Sequence, residues 1–327
     1  MRYDIVTSNS DVTPERLIEF LNYLSVIRGK SSNTVAGYKI EITLFFRFIK
    51  LYKGLCPKNI QFEDIIINDI QDDFIKHIKL ADFYAFLSFA EKQRNNSAYA
   101  RARKVAALKS FFKYLYTRAK VINENPTSDL ETPKINKRNP VYLTLDESKN
   151  LLNSVDGTYK HSKRDFCIIT LFLNCGLRLS ELCSIQISKI KEDTLTIIGK
   201  GNKERTVYLN KSCLRAISQY MDERNLMEIL TTHKDSLFIS ERKCEINKRT
   251  VERLIKKYIG EAGLDKEKYT PHKLRHTAAT LMYKYGNVDI ISLQKILGHE
   301  NISTTQIYTH VDDEKLREAV NSNPLNE

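Results

Sequence analysis

The chain has 327 residues, enough for two domains that each bury a sizeable core. Hydrophobic residues make up 42% and charged residues 28%, and no apolar run approaches the roughly 20 residues that span a bilayer, which argues against a helical membrane protein. Lys and Arg outnumber Asp and Glu by 52 to 40, and this surplus of 12 positive charges suggests a polyanionic partner, with an ordinary solvated surface as the alternative.

Cysteine usage and the first residues predict a cytoplasmic protein. The opening stretch MRYDIVTSNSD lacks the apolar segment of a secretory signal. The six cysteines form no Cys-x-x-Cys pair, which argues against a disulfide framework and against a cysteine-rich zinc site. We expect these thiols to be buried as small apolar groups in a reducing compartment: Cys56, Cys167, Cys175, Cys183, Cys213 and Cys244.

Residues 1–125 are predicted to form a helical domain. Thr13 and Pro14 are an N-cap and a proline at the first helical position, and an apolar face follows until Gly29. A second helix is predicted to begin at Ser32 or Asn33, and a third to cover roughly residues 71–91.

The fourth predicted helix, 97-SAYARARKVAALKSFFKYLYTRA-119, carries charges of one sign. An apolar stripe is expected along Val105, Leu108, Phe112, Leu115 and Tyr116. Solvated helices usually mix both signs and gain i,i+4 pairs, whereas a purely cationic helix suits a phosphate backbone. We therefore predict DNA contact by this helix, with an ordinary solvated face as the alternative, through Arg101, Arg103, Lys104, Lys109 and Lys113.

A polar stretch with three prolines, 123-NENPTSDLETPKINKRNP-140, predicts a linker over residues 126–140. A capping box, 144-TLDE-147, then opens a second domain over residues 141–311. This domain is predicted to be mostly helical, with one hairpin formed by 194-TLTII-198 and 205-RTVYL-209 around 199-GKGNKE-204. The predicted fold is therefore mainly α with a small β-sheet, in two domains.

Two cations of the second domain occupy unusual positions. Arg178 lies in 175-CGLRLSEL-182, where a helix begins after a glycine, and backbone N–H groups at such a start favour an anion. Lys200 lies at the predicted hairpin tip, where Lys203 competes for the same role.

The C-terminal third adds two histidines, an arginine and a tyrosine. His272 and Arg275 are three residues apart on one predicted helix and share a face. His299 follows a helix end, and Tyr308 lies nine residues later in 299-HENISTTQIYTH-310. Each residue alone has an ordinary structural explanation, such as a surface pair or a core tyrosine.

Taken in order, these six residues resemble the catalytic set of the tyrosine recombinases, or phage-integrase family. The local sequences resemble those of the bacterial Xer recombinases over essentially the whole chain: 176-GLRLSEL-182, 199-GKGNKERTVYL-209, 271-PHKLRHTAATLM-282 and 297-LGHENISTTQIYTHV-311. The resemblance implies a helical core-binding (SAM-like) domain and a catalytic domain that close as a C-shaped clamp on duplex DNA. It also implies site-specific cutting and rejoining of strands through a 3′-phosphotyrosine.

The resemblance assigns a role to each residue. Tyr308 would be the nucleophile, and because a phenol has a pKa near 10 it needs an activated phosphorus. Arg178 and Arg275 would clamp the non-bridging oxygens, with His299 as a further donor. His272 would be the general base and Lys200 the acid that protonates the leaving 5′ oxygen. The covalent link retains the bond energy, so neither ATP nor a metal or other cofactor is expected.

Three alternatives stay open on the sequence alone. A metallohydrolase could use His272 and His276, but Lys273 stands where the H-E-x-x-H motif has its glutamate. A non-catalytic DNA-binding protein and a type IB topoisomerase are the other two.

The segment 312-DDEKLREAVNSNPLNE-327 is predicted to form a short helix with Leu316, Ala319 and Val320 on one side. It could pack on its own domain. The resemblance implies instead that this tail docks on a neighbouring subunit in a tetramer on two DNA sites, built from one recombinase or from two. Chromosome-dimer resolution and integration of a mobile element are both compatible with the sequence.

Overall fold

A computed structural model describes residues 13–57, 59–135, 140–199, 203–286, 288–299, 301 and 305. The chain divides into two compact units, Met1–Lys137 and Arg138–Glu327. None of the described helices is long and apolar enough to cross a membrane.

Every regular element described in the first unit is helical. Its helices are α1 (Glu15–Asn22), continued by a π-helical turn (Tyr23–Ile27), α2 (Ser32–Tyr52), α3 (Asp72–Lys76), α4 (Leu80–Lys92) and α5 (Ala98–Thr117). Ser31 and Ser97 cap α2 and α5 by accepting hydrogen bonds from the backbone N–H groups of Thr34 and Ala100. The predicted third helix is in fact two, because the chain leaves helical geometry between His77 and Lys79.

Aromatic side chains fill the core of this unit. The rings of Phe45 and Phe83 stack with centroids 4.9 Å apart, and Phe112 meets Phe83 edge-on at 5.0 Å. Tyr116, expected in the core stripe of α5, is 41% exposed instead. Leu130, inside the predicted linker of residues 126–140, is buried in the same core, so the chain is not a free tether at that point.

The second unit combines helices with a small sheet. Its described helices are α6 (Leu145–Asn153), α7 (Ser162–Cys175), α8 (Leu179–Cys183), α9 (Lys211–Arg224), α10 (Lys248–Glu261), α11 (Pro271–Tyr285) and α12 (Ile290–Leu297). Thr144 and Glu147 form the predicted capping box at the start of α6, each side chain bonding the other residue's backbone N–H.

The predicted hairpin is present as β2 (Thr194–Ile198) and β3 (Glu204–Tyr208), which pair antiparallel with Ile197 opposite Arg205. A two-residue strand β1 (Ile190–Lys191) extends the sheet to the order β1-β2-β3. The prediction of a mainly α fold with a small sheet is confirmed.

Two helix ends in this unit bring backbone and side chains into close contact. Gly176 ends α7 and Gly298 ends α12, both in the left-handed conformation, with φ of 59° and 63°. A Cβ at Gly176 would lie 2.9 Å from Cδ2 of Leu297, so glycine permits the end of α7 to contact the end of α12.

Candidate active site

Two arginines predicted to bind phosphate meet at the C-terminal end of α12. Arg178, the N-cap residue of α8, donates from Nη2 to the carbonyl oxygen of Gly298 at 2.7 Å. Arg275, buried on α11, donates from Nη2 to the carbonyl oxygen of Leu297 at 2.6 Å and from Nη1 to that of Gly176 at 2.7 Å. Both guanidiniums are therefore fixed on backbone oxygens immediately before His299.

His299 is half-buried and tied to its surroundings. Its backbone N–H donates to the carbonyl oxygen of Gln294, whose side-chain amide donates back to the His299 carbonyl at 3.0 Å. Its Nδ1 lies 2.9 Å from Oγ1 of Thr305. If the Thr305 hydroxyl donates to Nδ1, the proton sits on Nε2, where it can be donated to a phosphate oxygen.

His272 lies one turn from His276 on α11, with 3.0 Å between their Nε2 atoms. Loss of hydration and then the charges of Arg275 and Lys273 lower the pKa of His272. The ring is therefore neutral near pH 7, as a general base must be.

Burial and neighbouring positive charge also act on His276 and His299. Burial, followed by the charges of Arg275 and Arg178, lowers the pKa of His299 to about 4. Burial, followed by His272 and Lys273, lowers the pKa of His276 to about 4. Both rings are neutral near pH 7, so the arginines supply the positive charge of this site.

Glu181, a residue that the sequence reasoning did not single out, holds the arginines together. Its carboxylate is 2% exposed and accepts from Arg178 Nη1 at 2.7 Å and from Arg205 Nη2 at 3.0 Å. It also lies 3.8 Å from Arg275 Nη1. Burial acts to raise the pKa of Glu181, but the backbone N–H of Arg178 and the charge of Arg205 outweigh it and keep the pKa low.

Arg205 on β3 is the second residue that was missed. Its side chain is 14% exposed and bonds Glu181 and the carbonyl oxygen of Ile296. For Glu181 the sequence does hold a signal, because this residue is the only acid in 176-GLRLSEL-182. It follows Arg178 by three residues and therefore lies on the same side of the helix start. Arg205 lies within the stretch 199-GKGNKERTVYL-209, but nothing in that stretch indicates that its side chain contacts α12.

The structure describes four of the six predicted site residues, and these four lie around α11 and the end of α12: Arg178, His272, Arg275 and His299. Lys200 and Tyr308, the predicted acid and nucleophile, lie outside the described residues, as does the predicted tail of residues 312–327.

The cations predicted on α5 differ in exposure. Arg103 has a side chain 71% exposed, and its Nε donates to the buried Glu41 at 2.8 Å. Lys113 is exposed and Lys109 is half-buried. Lys104 is 6% exposed and donates to the buried Glu41 at 2.7 Å, so its charge is directed inward rather than towards a ligand. Arg101 is 17% exposed and pairs with Glu91 at 2.7 Å.

A wide cavity of about 1820 Å³ opens beside α8 in the second unit. It reaches Ser180, two residues after Arg178, and the first turn of α10. Lys and Arg outnumber Asp and Glu in its lining, and those on α10 are Lys248, Arg249, Arg253 and Lys257. No cluster of three or more His, Cys, Asp or Glu residues suited to a metal ion occurs among the residues that the structure describes.

Comparison with known proteins defines the class. The phage integrase family matches residues 141–315, and the N-terminal SAM-like domain of phage integrases matches residues 17–119. The chain belongs to the phage integrase family, the tyrosine recombinases.

Within that family the similarity to Xer proteins is high. The chain is 56% identical to tyrosine recombinase XerC of Caldanaerobacter subterraneus subsp. tengcongensis, over 96% of this chain and 88% of that protein. It shares the fold of XerH site-specific recombinase bound to palindromic difH substrate in a post-cleavage complex, with a TM-score of 0.70, 23% identity, and 96% and 90% coverage. A lambda integrase tetramer bound to a Holliday junction matches with a TM-score of 0.63, 18% identity, and 92% and 83% coverage.

Proposed function

We propose that this chain is a Xer-type site-specific recombinase that cuts and rejoins DNA strands through a tyrosine–phosphate ester. The observation that supports it most directly is the placement of Arg178 and Arg275 on neighbouring carbonyl oxygens, directly before His299. The two guanidiniums are held around one short segment, and the neutral imidazole of His299 lies on it. Together they can bind the non-bridging oxygens of one phosphodiester.

The proposed reaction begins with attack of the Tyr308 phenol on that phosphorus. His272, neutral because its pKa is low, accepts the phenolic proton. Arg178, Arg275 and His299 stabilise the charge that develops on the phosphoryl oxygens. Lys200 protonates the leaving 5′ oxygen, which leaves a 3′-phosphotyrosine and a free 5′ hydroxyl. Attack by the 5′ hydroxyl of another strand reverses the steps without ATP or metal.

The two units would have different roles in the reaction. Residues 1–125 form the core-binding domain, residues 126–140 connect it to the catalytic domain of residues 141–311, and residues 312–327 dock on a neighbouring subunit. Support for DNA contact comes from the exposed Lys113 on α5 and from the cavity that reaches Ser180 and is lined by basic side chains of α10. Because relatives of this fold are seen on DNA and as a tetramer, we infer a tetramer on two DNA sites. The cytoplasm is the compartment that we propose for it.

The test is covalent capture of DNA. The full chain is incubated with sheared genomic DNA of its own organism. The protein is then denatured and recovered, and the DNA that remains covalently attached to it is sequenced. Wild type is expected to yield an enriched sequence, and Tyr308→Phe none. Equal, negligible capture by both proteins, or undiminished capture by the variant, would refute the proposal.

Two additions to this test separate the alternatives. Capture that survives EDTA argues against a metallohydrolase using His272 and His276. Joining of two copies of the recovered site, rather than relaxation of supercoiled DNA alone, argues against a type IB topoisomerase.

A further inference from the structure

Three consecutive carbonyl oxygens at the end of α12 each accept a hydrogen bond from a different arginine. Ile296 accepts from Arg205, Leu297 accepts from Arg275, and Gly298 accepts from Arg178. The carboxyl end of a helix carries partial negative charge and unpaired carbonyl groups, so cations bind there favourably. Two of the three arginines belong to the proposed phosphate clamp, and Arg205 does not.

Arg205 occupies a space that depends on Gly298. A Cβ at Gly298 would lie 2.8 Å from both Cδ and Nε of Arg205, so any side chain there would displace the guanidinium. The Nε atom is buried and has no hydrogen-bond partner in the described part of the chain. Because an unpaired buried donor lowers the stability of the folded protein, stability alone does not explain the position of this side chain.

The contacts of Arg205 join two parts of the site. Through Nη2 it meets Glu181, which holds Arg178, and through Nη1 it meets the last turn of α12, which leads into His299. A planar guanidinium can span two acceptors at fixed angles, whereas a lysine ammonium is a single point charge.

We propose that Arg205 is a positioning residue, which fixes the end of α12 so that His299 is aligned with the phosphate held by Arg178 and Arg275. Arg205 itself points at Glu181 and α12 and does not touch DNA. The inference rests on the proposed function, because the alignment matters only for a phosphate bound at this site.

The experiment uses the full chain and a nicked duplex carrying the sequence recovered by covalent capture. Single-turnover formation of the covalent adduct is measured for wild type, Arg205→Gln and Arg205→Lys. We expect Arg205→Gln to lower the cleavage rate about 10²-fold, the scale of a small misplacement of a reacting group, with DNA affinity unchanged. Arg205→Lys should also be impaired, because it keeps the charge and loses the two-ended contact.

A double-mutant cycle with His299→Ala distinguishes positioning from general destabilisation. If Arg205 acts through His299, Arg205→Gln should cost less than about threefold in the His299→Ala background. Thermal unfolding checks that each variant is folded, and Arg215→Gln, an exposed arginine on α9, should cleave at the wild-type rate.

Three results would overturn the inference: a wild-type rate in Arg205→Gln, a wild-type rate in Arg205→Lys, or a full additional loss in the His299→Ala background. Failure of the proposed function is a separate result, because it appears as absence of the Tyr308-dependent adduct in the wild-type chain.

Discussion

Glu181 is the buried carboxylate on which the arginines of the site depend. At 2% exposure it lies within 3.8 Å of Arg275 and is hydrogen-bonded to Arg178 and Arg205. Removing one member of a buried ionic group leaves the charges of the others buried without a partner. The resulting loss of stability is larger than the net stabilisation that the intact group provides. The geometry of the proposed phosphate clamp is therefore tied to the stability of the second unit.

We expect Glu181→Gln to lower the free energy of unfolding by about 3 kcal/mol, because Arg205 and Arg275 stay buried without their carboxylate. Urea denaturation measures the change. Glu204→Gln is the matched control, since Glu204 is 60% exposed and pairs with Lys189 only at 3.8 Å. Its cost should be below about 1 kcal/mol. Equal costs for the two variants would contradict this account of Glu181.

The sequence predicted Arg178, His272, Arg275 and His299 because each lies in a recognisable local sequence, and the structure brings these four together. Arg205 also lies in such a sequence, 199-GKGNKERTVYL-209, but its contact with α12 could not be predicted from it. Its position depends on β3 approaching the end of α12, whose Ile296 lies 91 residues later in the chain. Contacts of that kind are set by tertiary packing, which no local pattern reports.

At the scale of elements, α5 shows where a charge pattern is insufficient. Its cations have one sign along the sequence, yet Lys104 turns inward to Glu41 on α2, 63 residues earlier. The sequence of one helix does not show which buried residue of another helix a lysine will contact. A similar limit applied to the predicted third helix, where apolar residues continue across the break between α3 and α4.

Paired substitutions on α5 separate its two kinds of cation. Lys104→Gln should lower the free energy of unfolding by about 2 kcal/mol, because the buried Glu41 keeps only the largely exposed Arg103 as a partner, and should leave the salt dependence of DNA binding unchanged. Lys113→Gln should change stability by less than about 0.5 kcal/mol. It should reduce the slope of log affinity against log salt by about 1 if Lys113 binds a phosphate. Urea denaturation and DNA titrations at several salt concentrations measure both effects, and a reduced slope for Lys104→Gln would contradict the inward orientation of its charge.

At the scale of the whole molecule, the two units have separate hydrophobic cores, one built on aromatic rings and one on aliphatic chains around α7. The sequence indicated two parts through the proline-containing stretch and the capping box at Thr144. It could not indicate that Leu130 packs into the first core, because a single leucine in a polar stretch has no periodic partner.

Burial, and then nearby positive charge, make protonation of His276 and His299 unfavourable in the folded protein. The folded protein holds the pKa of His276 and His299 at about 4, while in the unfolded chain both histidines return to their ordinary value of 6.5. Between these values the unfolded state binds more protons, so the free energy of unfolding falls as the pH is lowered from about 6.5 to about 4, and this loss is absent above about pH 7.

His276→Gln should therefore flatten the acid side of the stability profile. Urea denaturation of the two proteins at pH 8, 6 and 5 measures the effect. The comparison at pH 8, where the histidines are neutral in both states, gives the packing cost of the substitution alone. After that cost is subtracted, the variant should lose less stability than wild type between pH 6 and pH 5, because one proton fewer is taken up on unfolding. Identical slopes for the two proteins would show that His276 is protonated to the same extent in the folded and unfolded states, and that its burial does not lower its pKa.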